Sequence, residues 1–83
     1  MFKNKTLNGR NNVCGEKVYQ IRKAAVPKMS QRALAEKLQL MGIDVDKNAI
    51  QRIESGQRFI TDIELIALAE ALHVTIEELY NTK

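Results

Sequence analysis

The chain has 83 residues, 45% hydrophobic and 28% charged. That is enough for one domain, because a chain of this size buries only about 60% of its unfolded surface and has no room for a second core. The formal charge of +3 is uneven: residues 1–32 carry eight Lys or Arg against Glu16 alone, whereas residues 60–83 carry five carboxylates against Lys83, which suggests an anionic partner for the first half and argues against one for the second.

Residues 1–12 are polar, basic and without period, and are expected to form a flexible basic N-terminal arm ahead of a domain spanning 13–83. The start MFKNK lacks the apolar stretch of a secretory signal, so a cytoplasmic protein with its natural N-terminus is expected. Helix one is predicted over Val13 to Val26 from the spacing of Val18, Ile21 and Ala25, with Pro27 ending it. The four later helical starts share one device. Ser30, Asp46, Thr61 and Thr75 are good N-cap residues, each preceded by an apolar residue (Met29, Val45, Ile60, Val74) and followed four positions on by another (Leu34, Ile50, Leu65, Leu79). Thr61 with Glu64 and Thr75 with Glu78 add capping boxes. Helix two is predicted over Gln31 to Met41, with Leu34, Leu38 and Met41 on one stripe and Gly42 as its stop. Helix three covers about 47–55 and closes at Gly56. Helix four, Asp62 to Leu72, is apolar around most of its circumference and is expected to be the central buried helix. Helix five is short, Ile76 to Tyr80. Nothing reads as a strand, so the expected fold is all-α with five helices.

Catalysis finds little support. His73 is the only histidine and sits at the end of helix four, where it reads as a helix-end residue. Cys14 is the only cysteine, so no internal disulfide can form and a reducing compartment fits. No metal-ligand spacing, phosphate loop or nucleophile motif is present, no cofactor is expected, and no apolar run approaches the roughly 18 residues of a membrane span. The pair of helices two and three is more informative. A major groove about 12 Å wide admits one helix whose exposed face carries hydrogen-bonding side chains near its N-terminus. Lys47 and Asn48 occupy the first turn of helix three and Arg52 lies one turn on, while Ile50 and Ile53 hold the opposite face. Lys and Arg can read guanine, and Asn can read adenine.

Residues Val18 to Leu79 resemble the Cro/repressor-type (XRE-family, lambda-repressor-like) helix-turn-helix DNA-binding domains. The likeness rests on SQ at 30–31, LA at 34–35, Leu38, IQRIESGQR at 50–58 and TDIELIALAEALHVTIEEL at 61–79. It implies a compact five-helix domain that regulates transcription, as a repressor of bacterial or phage type, with helix three in the major groove. It also implies site residues: Ser30 and Gln31 at the start of helix two, Gln31 touching a phosphate and bracing helix three, and Lys47, Asn48, Gln51 and Arg52 reading bases. Arg22 and Glu54 would pair, with Glu54 and Gly56 structural rather than DNA-facing. His73 stands where the family commonly has Gly or Asn in a left-handed cap. The connection QLMGIDVDKNA is about five residues longer than the family's turn, which suggests that helix two runs one turn further.

Lys28, Arg32 and Arg58 are further candidates for phosphate contacts, and Lys3, Lys5 and Arg10 for a minor groove. One helix reads few base pairs, so a homodimer on an inverted repeat is expected. Only Asn81 to Lys83 follow helix five, which directs the dimer contact to helices four and five, through Leu79 and Tyr80 or the edge of helix four. The alternative is a protein-interaction module of the same fold, such as an antitoxin or a regulator-binding subunit. Neither reading needs a small-molecule ligand.

Overall fold

The computed structural model describes residues 9–80. Five α-helices follow one another in it: α1 (Gly15–Ala24), α2 (Gln31–Leu40), α3 (Lys47–Ser55), α4 (Asp62–Leu72) and α5 (Ile76–Tyr80). No strand occurs among the described residues, and the fold is the all-α, five-helix arrangement expected.

The starts are set by the caps. The Ser30 hydroxyl accepts from the Ala33 amide at 3.0 Å, and the Asp46 carboxylate accepts from the Ala49 amide at 2.8 Å. Thr61 and Glu64 bond each other's backbone amides reciprocally, as do Thr75 and Glu78. Each cap is flanked by an apolar pair lying in or against one core, in which Val18, Leu34, Leu38, Ile50, Ile53, Leu68 and Leu79 are fully buried. Left-handed residues close two helices: Gly56 at φ 84° after α3 and His73 at φ 58° after α4. His73 therefore occupies the left-handed position, which histidine enters more readily than most residues.

Several boundaries differ from expectation, each for a local reason. α1 starts at Gly15 rather than Val13: Cys14 stands at its N-cap with no side-chain cap bond of its own, and the Gly15 amide donates to the Asn12 side-chain oxygen at 2.8 Å. It ends at Ala24, with Ala25 already extended. Pro27 disfavours helical backbone in the residue before it and offers no amide to continue the ladder. α2 stops at Leu40, not Met41, and Met41 is 41% exposed rather than part of the apolar stripe. Gly42, at φ 86°, lets the Ile43 amide turn back to the Leu38 carbonyl at 3.0 Å. The long connection is then a packed segment. Val45 is buried, Ile43 lies against the core, and Gln39 donates to the Val45 carbonyl at 2.7 Å.

Two larger corrections concern exposure. α4 buries Ala67, Leu68, Ala69, Ala71 and Leu72, yet Ile63 and Ile66 are 65% and 51% exposed. The helix packs on α1, α2 and α5 and leaves one apolar side uncovered. Residues 10–12 are not loose. The Asn11 amide donates to the Gly56 carbonyl at 2.7 Å and Asn12 is buried, because the open carbonyls at the end of α3 need donors. Lys3 and Lys5 of the expected arm lie outside the described residues. Cys14 is buried in the core, and burial pushes its thiol above the ordinary range, which leaves it a packing residue.

Candidate nucleic-acid interface

α3 is a two-sided helix. At about 100° per residue, Lys47, Asn48, Gln51, Arg52 and Ser55 fall within one arc of roughly 140°, and all five are exposed. Ala49, Ile50, Ile53 and Glu54 fill the opposite side and are buried. The side chains of Lys47, Asn48, Gln51 and Arg52 form no hydrogen bond or ion pair with any described residue, so their donors and acceptors face water. The same helix thus has an apolar half that fixes it and a polar half that is unspent.

The buried half includes an ion pair. Arg22 of α1 donates from Nε to Glu54 Oε2 at 2.6 Å and from Nη2 to Oε1 at 2.9 Å, with both side chains nearly solvent-free. The guanidinium also reaches the Met29 carbonyl at 3.0 Å, which ties down the link between α1 and α2. Gln31 adds a third donor, its Nε2 lying 3.0 Å from Glu54 Oε1. One carboxylate on the underside of α3 therefore joins α1, α2 and α3. Gln31 is half-buried, and with one amide hydrogen on Glu54 it keeps its oxygen and second hydrogen for another contact.

The start of α2 lies beside α3. Arg32 and Lys47 line one shallow cleft of about 370 Å³, together with Glu36, Gln39 and Asp46. Ser30, Arg32 and Lys28 are exposed; the Ser30 hydroxyl is engaged as the α2 cap but can still donate its own hydrogen. Arg58 is situated differently. It forks onto Glu64 through Nη1 at 2.9 Å and Nη2 at 2.8 Å. These bonds raise the Arg58 pKa and hold the Glu64 carboxyl below its ordinary range. Much of Arg58 is thus committed within the chain.

The far end of α3 is held by the residues before α1. Arg10 donates to the Glu54 carbonyl at 2.8 Å, and Asn11 donates its side-chain amide to Gln57 at 2.8 Å. Asn12 donates to the carbonyls of Ile53 at 3.0 Å and Arg58 at 2.7 Å. Gly56 is buried at this junction. Sequence reasoning missed Ser55 and Asn12. Ser55 was within reach, since it stands four residues from Gln51 and seven from Asn48. The Asn12 partners are 41 and 46 residues away in the chain, and no local pattern encodes that.

A family model described as helix-turn-helix matches residues 18–79, from within α1 to within α5. No curated protein and no solved structure matches the chain.

Proposed function

The chain belongs to the helix-turn-helix family of DNA-binding regulators, in its Cro/repressor type, and from that premise we propose that it is a sequence-specific transcriptional repressor of the cytoplasm, reading double-stranded DNA with α3 in the major groove. One observation carries the reading: on the exposed arc of α3 the side chains of Lys47, Asn48, Gln51 and Arg52 have no partner among the described residues, while the other side of the helix is locked into the core. Lys47 and Asn48 enter first, with Gln51, Arg52 and Ser55 behind them on the same arc. Arg and Lys discriminate guanine, and Asn or Gln adenine, each good pairing being worth about 1–3 kcal/mol. Ser30, Gln31 and the open amides of the α2 N-terminus meet a phosphate, and Lys28 and Arg32 reach others. Arg58 contributes only through the donors that Glu64 leaves free. No catalytic step belongs to this reading.

Lys28→Ala is expected to weaken binding on every sequence alike and to flatten the log–log salt slope by about 0.9 per lost phosphate contact. Asn48→Ala is expected to lose preference at one base pair while keeping affinity for random duplex. Equal losses on selected and random duplexes for Asn48→Ala would remove it from the reading edge. No salt-sensitive shift of any duplex at low salt would favour the alternative, an interaction module such as an antitoxin.

The repressor acts as a homodimer on an inverted repeat, half-sites about one helical turn apart. Leu79, considered for the contact on sequence grounds, is fully buried within its own chain and is excluded. The exposed Ile63 and Ile66 of α4, with Ile76 and Tyr80 of α5, are the apolar side chains available there. Ile66→Glu should shift the solution mass from dimer to monomer and reduce operator affinity. A parent chain that is monomeric with and without DNA would rule the dimer out.

A further inference from the structure

We propose that Asn12 is a positioning residue for base reading, fixing the tilt of α3 in the groove; the inference rests on the DNA-reading role proposed above. Ile50, Ile53 and the Glu54 carboxylate hold α3 from one side only, its inner one. A helix held on one side can still pivot about that line. From Ile53 back to Lys47 is about 9 Å at 1.5 Å per residue. A pivot of 10° there moves the first reading turn by roughly 1.5 Å, beyond the approximately 0.5 Å within which a binding constellation must be held. The start of α3 is tied through Val45, which is buried and accepts from Gln39, so the tilt is fixed in full once the far end is tied as well.

The strap of residues 10–12 ties that end. It donates to the carbonyls of Ile53, Glu54, Gly56, Gln57 and Arg58, the stretch where α3 ends and its amide ladder runs out. Asn12 is the joint of that strap. Its two amide hydrogens go to Ile53 and Arg58, on either side of the α3 stop, and its oxygen takes the Gly15 amide that opens α1. The side chain is buried, so no water replaces these bonds without opening the junction. Gly15 makes the approach possible, since a Cβ there would run into the Ile53 carbonyl oxygen. Residues 10–12 precede the stretch 18–79 that the family model matches, so the donors of this anchorage lie outside the match while its acceptors lie inside it. The orientation of the reading helix is thereby set by residues that themselves need touch no base.

Asn12→Asp separates this role from a purely structural one. The carboxylate keeps an acceptor for the Gly15 amide and suits a helix N-terminus, but it can donate to neither carbonyl of the α3 end. The parent chain first selects its preferred site from random duplexes, and affinities for that site and for a random duplex are then compared. Asn12→Asp is expected to lose about tenfold on the selected site, the net worth of about one hydrogen bond. Its random-duplex affinity should stay within about twofold and its salt slope should be unchanged, because phosphate contacts are untouched. Parental discrimination in a folded Asn12→Asp, or equal losses on both duplexes, would overturn the proposal. Should that variant not fold, Asn11→Ala decides, since it removes only the bond to Gln57; a smaller loss of discrimination is expected, and none would overturn the proposal. A parent chain that binds no duplex overturns the DNA-reading role itself, an outcome distinct from all of these.

Discussion

Glu54→Ala is expected to cost about 3–5 kcal/mol of folding free energy, the range for removing one partner of a buried ion pair. The variant leaves the Arg22 guanidinium in a site where it is 6% exposed, with only the Met29 carbonyl and the nearby face of Tyr19, 5.5 Å from the ring centroid. It also strands the Gln31 amide that donates to the lost oxygen. Domains of this kind are stable by about 5–15 kcal/mol, so the loss is a large fraction of the total. Urea unfolding followed by circular dichroism reads it directly. A cost below about 1 kcal/mol, as for exposed pairs, would show that the site is wetter than its geometry indicates. The double substitution Arg22→Met with Glu54→Leu should recover most of the stability, because the penalty lies in the unpaired charge rather than in the absence of the pair. DNA binding should not return with it, since Gln31 then has no carboxylate to hold it at the start of α2. Those two outcomes together would show that the pair matters more for the arrangement of the proposed site than for stability.

Gly15→Ala should destabilise the domain by about 3 kcal/mol, at the upper end of overpacking costs. Helix propensity alone argues the opposite, since exchanging Gly for Ala inside a helix gains roughly 0.5–1 kcal/mol. The structure decides the sign. The added methyl would meet the Ile53 carbonyl oxygen, and behind it the Asn12 side-chain oxygen at 2.6 Å. The nearest obstacle is backbone and cannot rotate aside, so α1 must move away from α3 and break the Asn12 junction. Thermal unfolding of the variant beside the parent settles the point, and a raised midpoint would mean that the α1–α3 approach is looser than described. The same displacement releases the α3 end, so a folded remnant should also discriminate poorly between selected and random duplexes.

Much of this protein was legible from the chain alone because its signals are local. A cap, its staple and its box span at most five residues, so Ser30, Asp46, Thr61 and Thr75 announce their helices without reference to anything distant. The division of α3 into Ile50 and Ile53 on one side and Lys47, Asn48, Gln51 and Arg52 on the other is a matter of period, and period is written in one strand of text. The left-handed stops at Gly56 and His73 belong to the same class. Where local reading went astray, a distant neighbour was the cause. The run of apolar residues in α4 could not say that Ile63 and Ile66 have nothing over them, since that depends on where α1, α2 and α5 lie. Met41 continued the α2 stripe on paper, but Gly42 turned the chain inward and gave that space to Ile43 and Val45. Asn12 looked like one more polar residue of a loose arm. Its worth comes from carbonyls more than forty positions away that become its neighbours only when α1 and α3 touch. The sequence by itself thus determined the five helices, four of their starts and the two-sided character of α3, all products of contacts within a few residues. Only the tertiary structure decided which apolar sides stay open and what secures the end of α3, because burial and hydrogen-bond partnership across the fold are properties of pairs that the chain order keeps apart.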